Sequence, residues 1–125
     1  MAVCYSAKTI SIRQSICRVL RAEGCECRQA VDGASALEQL RDEHFDLILT
    51  DYHMPLMDGM EFLKQLTERQ NSGDSPPVIM MTSDEDDALH KQAMKAGSSL
   101  VLNKTCDLRQ LVTRVMKFLT QKPDS

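Results

Sequence analysis

One carboxylate stands where an open α/β sheet would hold a ligand. Phe45-Asp46-Leu47-Ile48-Leu49-Thr50-Asp51 is an apolar, strand-like run that ends on Asp51. A buried strand of this kind delivers its last residue to the C-terminal edge of the sheet, where such folds form their binding crevice. Met54-Pro55 stops the strand, because proline cannot donate to a ladder and keeps its predecessor extended. Two further apolar runs end on polar groups, Val78 to Met81 on Thr82 and Leu100 to Leu102 on Asn103-Lys104. In one crevice a carboxylate can attack as a nucleophile, a hydroxyl can donate a hydrogen bond and an ammonium can neutralise charge. Singly, Thr82 reads as a cap and Lys104 as a solvated charge. Their shared position at strand ends makes them a set.

Delivering three strand ends to one crevice needs an alternating βα chain, and the hydrophobic period switches accordingly between 2 and 3.6 along the sequence. Ala2 to Ser6 reads as the first strand, and Ile12, Ile16, Val19 and Leu20 mark one face of a helix stopped at Gly24. Cys25 to Val31 is a weaker second strand, and Asp32-Gly33 turns the chain into a helix through about Asp42. After the strand ending at Asp51, Asp58 is the expected cap of a third helix over about Gly59 to Arg69, with Glu61 at capping-box spacing. Asn71 to Pro77 is a polar loop, and Val78 to Thr82 is a strand buried on both faces. Ser83-Asp84-Glu85-Asp86 gives the fourth helix a cap and an acidic first turn, and that helix ends near Gly97. Leu100 to Leu102 is the fifth strand, and Asp107 caps a last helix whose core stripe is Leu108, Leu111, Val112, Val115, Met116 and Leu119. Short connections force parallel strands with right-handed crossovers, hence a doubly wound five-stranded sheet.

The segment Asp51-Tyr52-His53-Met54-Pro55-Leu56-Met57-Asp58-Gly59 resembles the phospho-acceptor motif D-x-x-M-P-x-M-D-G of the response-regulator receiver family. The resemblance covers essentially the whole chain. It implies a (βα)5 flavodoxin-like sheet of order 2-1-3-4-5 and a place in two-component, phosphorelay signalling of the bacterial type. It further implies that Asp51 is the phospho-acceptor and that Thr82 and Lys104 hold the phosphoryl oxygens. His53, Ser83 and Asp84 would flank the pocket mouth and modulate dephosphorylation. The implied partners are a sensor histidine kinase or phosphotransfer protein upstream, and a downstream protein target or fused output domain. Any catalysis would be limited to self-catalysed phosphoryl transfer to Asp51.

The chain departs from the family pattern at the end of the first strand. There the family places two adjacent acids that bind Mg²⁺ together with the acceptor. Here the first acidic residue is Glu23, and the acid-pair positions fall on Ala7-Lys8 or, with a shift of one, on Ser6-Ala7. An inward-pointing Lys8 beside Asp51 and Lys104 leaves the pocket net positive, so an anion is not forbidden. Mg²⁺ holds its oxygens in fixed octahedral geometry, however, whereas an ammonium is a flexible point charge. Two unit charges ~4 Å apart at an effective dielectric near 20 interact by about 4 kcal/mol, so misplaced neutralisation costs roughly a thousandfold in rate. No cofactor is expected, with Mg²⁺ weak or absent and Mg²⁺-dependent phosphorylation impaired. Lys104 is followed by Thr105 rather than proline, and Val101 occupies the aromatic switch position. An activation signal would then pass through the Thr82-Ser83 loop and the start of the fourth helix. The alternative is a phosphorylation-independent pseudo-receiver, a protein-interaction module.

Composition excludes several other classes. The chain has 125 residues, 42% hydrophobic and 26% charged, which suits one domain over residues 1–121 with a tail over 122–125. A net charge of −3 argues against a nucleic-acid contact by this domain. No apolar run approaches the ~20 residues of a membrane span and no signal peptide is legible, so the expected location is the cytoplasm. Cys4, Cys17, Cys25, Cys27 and Cys106 read there as buried, reduced thiols. Cys25-x-Cys27 has no histidine spacing that would complete a zinc site. A P-loop around Lys8-Thr9 or a flavin-phosphate loop would need glycines that Cys4-Tyr5-Ser6-Ala7 lacks. A phosphatase with an Asp nucleophile would want a second Asp where His53 stands.

Overall fold

The computed structural model describes residues 2–6, 10–52, 57–69, 76–82, 87–103 and 108–120. Strands and helices alternate as β1 (Ala2–Ser6), α1 (Ile10–Ala22), β2 (Glu26–Ala30), α2 (Gly33–Asp42), β3 (Leu47–Asp51), α3 (Gly59–Arg69), β4 (Val78–Thr82), α4 (Asp87–Ala96), β5 (Leu100–Asn103) and α5 (Leu108–Thr120). All four strand pairings are parallel and the order is β2-β1-β3-β4-β5. The expected order 2-1-3-4-5 is therefore the one adopted. Strand ends differ from the sequence reading by a residue or two. The expected cap and first turn of α4, residues 83–86, the expected cap of α5 at Asp107 and the tail lie outside the described residues.

Alternation along the strands builds two cores. Val3, Tyr5, Leu47, Leu49, Ile79 and Met81 face α1 and α5, meeting Ile16, Cys17 and Leu20 on one helix and Leu111, Val112, Val115 and Leu119 on the other. Cys4, Ile48, Val78 and Met80 face the opposite way, against Ala36 and Leu37 of α2, Phe62, Leu63 and Leu66 of α3, and Ala93 of α4. Every residue of β3 and β4 is buried, as expected for parallel strands covered on both faces.

Local chemistry sets the helix limits. Gly24, at φ 92°, ends α1: its own N–H donates to Arg21 (3.0 Å) and the Cys25 N–H reaches back to Leu20 (3.0 Å), the Schellman pair of bonds that favours glycine. The Asp32 carboxylate caps α2 by accepting from the Ser35 N–H at 2.8 Å. Asp58 caps α3 in the same way, accepting from the Glu61 N–H at 2.9 Å.

The cysteine reading needs correction. Cys17 and Cys27 form a disulfide, with Cα atoms 5.5 Å apart. Cys27 lies in register with Val3 and so faces α1, where Cys17 belongs to the same core. The topology, rather than the sequence spacing, brings the two sulfurs together at a separation suited to a bond. Cys4 and Cys25 are free and buried, and Cys106 lies outside the described residues. Burial, aided by the negative charge of Glu43, pushes the Cys4 thiol up to about 12, which leaves it unreactive.

Gly59 positions the start of α3 against the strand that carries Asp51. Its N–H donates to the Tyr52 carbonyl at 2.6 Å, and a Cβ there would meet Tyr52 Cα at 2.8 Å and the Asp51 carbonyl oxygen at 2.9 Å. Both are backbone atoms that cannot swing aside.

Two outcomes follow from these contacts. Gly59→Ala should destabilise the domain by about 1–3 kcal/mol and displace the Asp51 and Tyr52 amide signals, as read by denaturant unfolding and NMR; an unchanged midpoint would show that the backbone yields freely. Alkylation of the unfolded, unreduced chain should leave Cys17 and Cys27 unlabelled in peptide maps. Reduction should expose both and lower stability by about 2–3 kcal/mol.

Candidate functional site

The C-terminal edge of the sheet brings polar residues into one row. Asp51 is the last residue of β3, Thr82 the last of β4 and Asn103 the last of β5. Asp51 is in register with Met81, one residue before Thr82, and Thr82 is in register with Asn103. On the other side Ser6, the last residue of β1, pairs with Thr50. The Tyr52 N–H donates to the Met81 carbonyl at 2.8 Å, so the β3–β4 ladder continues one step past the acid and holds its backbone in place. Asp51 and Thr82 are each only 1% exposed. Burying a carboxylate to that degree requires nearby donors or positive charge.

The structure thus brings Asp51 and Thr82 to adjacent strand ends, as the sequence reading expected. Lys104, Lys8, His53, Ser83 and Asp84 lie outside the described residues, as does Ala7. Asn103, the residue before Lys104, ends β5 at the same edge. Val101, at the expected aromatic position, is partly buried and packs against the core shared with α3 and α4.

Two polar residues near the acid were not singled out by sequence reasoning. Tyr5 is wholly buried and Arg13 is 9% exposed, and both sit on the α1 side of the sheet. Burial pushes the Tyr5 phenol well above its usual range; the negative charge of Asp51 raises it further and the positive charge of Arg13 opposes the rise. All three groups therefore share one electrostatic neighbourhood. The signal in the sequence was a polar group at a core position: Tyr5 two residues after Val3, and Arg13 three and four residues before Ile16 and Cys17.

Residues 1–22 contain no acid that could join Asp51 from the end of β1. Among the described residues no group of three His, Cys, Asp or Glu is placed to hold a metal, and no helix is long and apolar enough to cross a membrane.

Comparison with known proteins places this geometry. The response regulator receiver domain family matches residues 9–116. The chain is 33% identical over 112 residues to the transcriptional regulatory protein CrdR of Helicobacter pylori, covering 90% of this chain and 52% of that protein. It is 30% identical over 115 residues to the response regulator MprA of Mycobacterium leprae, covering 91% and 49%. The chain thus spans about half the length of these curated relatives. Among solved structures, the receiver domain of the Francisella response regulator 1452 superposes with a TM-score of 0.87 at 26% identity, covering 94% of this chain and 95% of that one. The chemotaxis response regulator CheY4 of Vibrio cholerae gives 0.85 at 27% identity, covering 94% and 97%. The strand order, the acid at the end of β3 and the family match lead to one conclusion: this chain belongs to the response regulator receiver domain family of two-component signalling systems.

Proposed function

We propose that Asp51 is the phospho-acceptor of this receiver domain, that Thr82 and Lys104 hold the transferred phosphoryl group, and that Mg²⁺ contributes little. The carrying observation is the buried Asp51 at the end of β3 with Thr82 at the adjoining strand end. A carboxylate oxygen of Asp51 attacks phosphorus in line while the bond from phosphorus to the donor nitrogen breaks, and the leaving nitrogen takes up a proton. The Thr82 hydroxyl donates to one phosphoryl oxygen, and the Lys104 ammonium neutralises another. Lys8, at an acid-pair position, adds a second positive charge at the mouth, and His53, Ser83 and Asp84 tune access of water. The family match does not favour a phosphorylation-independent module.

Receiver domains work with histidine kinases and output domains. For this chain we assign the donor to a sensor histidine kinase or phosphotransfer protein, and the output to a fused domain or a separate protein target. Such partners place the chain in the cytoplasm. The Cys17–Cys27 disulfide would there meet thiol reductants, and its burial slows their access.

Incubation with phosphoramidate, with and without Mg²⁺, should add one phosphoryl group by intact mass. Asp51→Asn should abolish the adduct, and Mg²⁺ should change the rate less than about tenfold. An adduct that persists in Asp51→Asn would reject the acceptor assignment; a large Mg²⁺ dependence would reject the metal reading. Restoring the acids through Ala7→Asp with Lys8→Asp should create Mg²⁺-dependent uptake, accelerated about tenfold or more by millimolar metal. If that double variant gains nothing, the loss of the acids is not what sets the rate.

A further inference from the structure

Three side chains converge at the α1 side of the strand-end row. Tyr5 is in register with Leu49, and register partners share a face of the sheet, so Asp51, two residues beyond Leu49, lies on that face one pleat closer to the edge. Helix α1 covers the same face through Ile16, Cys17 and Leu20. Arg13 precedes Ile16 by three residues and Cys17 by four, which puts it on the same stripe one turn nearer the helix N-terminus. Because α1 runs back along β1, its N-terminal turn lies at the C-terminal edge of the strands.

Both residues carry buried donors that the fold itself does not use. Tyr5 Oη and Arg13 Nε are fully shielded from solvent, and neither has a hydrogen-bond partner among the described residues. Buried donors are nearly always paired, because an unpaired one forfeits its hydration without return. A phenylalanine would fill the Tyr5 site and a methionine the Arg13 stripe without leaving such a group. Two unpaired donors on one side of a buried carboxylate call for an acceptor-rich occupant that is present only part of the time.

We propose that Tyr5 and Arg13 are positioning residues of the acceptor site, whose Oη–H and Nε–H are taken up by oxygens of the aspartyl phosphate when Asp51 is phosphorylated. The proposal rests on Asp51 being the acceptor. A phosphoryl group brings three oxygens that accept strongly, and a guanidinium that keeps its charge at every accessible pH suits them. The raised phenol keeps its proton and remains a donor throughout. Thr82 would then hold the group from the β4 side, and Arg13 with Tyr5 from the α1 side.

The test uses the whole chain and phosphoramidate. Phosphorylation should move the Arg13 Nε–H signal downfield and slow its exchange. Arg13→Met should slow uptake about tenfold or more, with Arg13→Lys recovering part of the loss, and Tyr5→Phe should shorten the life of the adduct several-fold at an unchanged melting temperature. If the wild-type chain is phosphorylated while the Arg13 signal stays in place and Tyr5→Phe and Arg13→Met behave as wild type, the proposal is wrong. A wild-type chain that takes up no phosphoryl group removes the acceptor reading and this proposal together, a result distinct from the first.

Discussion

A carboxylate held at the end of a strand buried on both faces is the constraint around which this molecule is organised. β3 lies between β1 and β4, with every residue covered, and it can lie there only because both layers of helices supply apolar stripes for its two faces. Asp51 is carried out of sight of water as a consequence. A charge in that position is costly unless dipoles and positive groups surround it. The polar residues of the edge are best understood as that surrounding set.

Helix α1 does more than cover the sheet. Its buried stripe contributes Ile16 and Leu20 to the core, ties itself to β2 through Cys17, and carries Arg13 toward the acid. A link between α1 and β2 limits how far the helix can slide along the sheet. The placement of Arg13 at the edge is therefore coupled to a covalent bond at the middle of the same helix. On the other side, Gly59 brings the start of α3 so close to Asp51 and Tyr52 that no side chain fits. The acid is thus held between a helix on one flank and a helix start on the other.

Within the receiver family the shape of this chain is ordinary. The strand order and the superposition on solved receivers show this, while the sequence carries no acidic residue before Glu23. Among the described residues, Arg13 is a buried cation that the protein itself carries on the α1 side of the sheet.

The alternation of periods, the run ending at Asp51 and the cap at Asp58 are local properties, written in neighbouring residues, and they sufficed for the element order, the parallel sheet and the acceptor motif. The same local signals placed Thr82 and Asn103 at strand ends, because β4 and β5 are continuous apolar runs with nothing polar before their last residues. What escaped the sequence were pairings made across the chain. Cys17 and Cys27 looked like independent core thiols, since nothing in a helix followed by a strand says which face of each will meet the other. Tyr5 and Arg13 looked like one aromatic and one charge among many, because their proximity to Asp51 arises from strand register, the crossover of α1 and the direction in which the helix returns. Register and crossover are decided by the burial of all five strands together, so only the folded sheet could bring a phenol, a guanidinium and a carboxylate to the same edge.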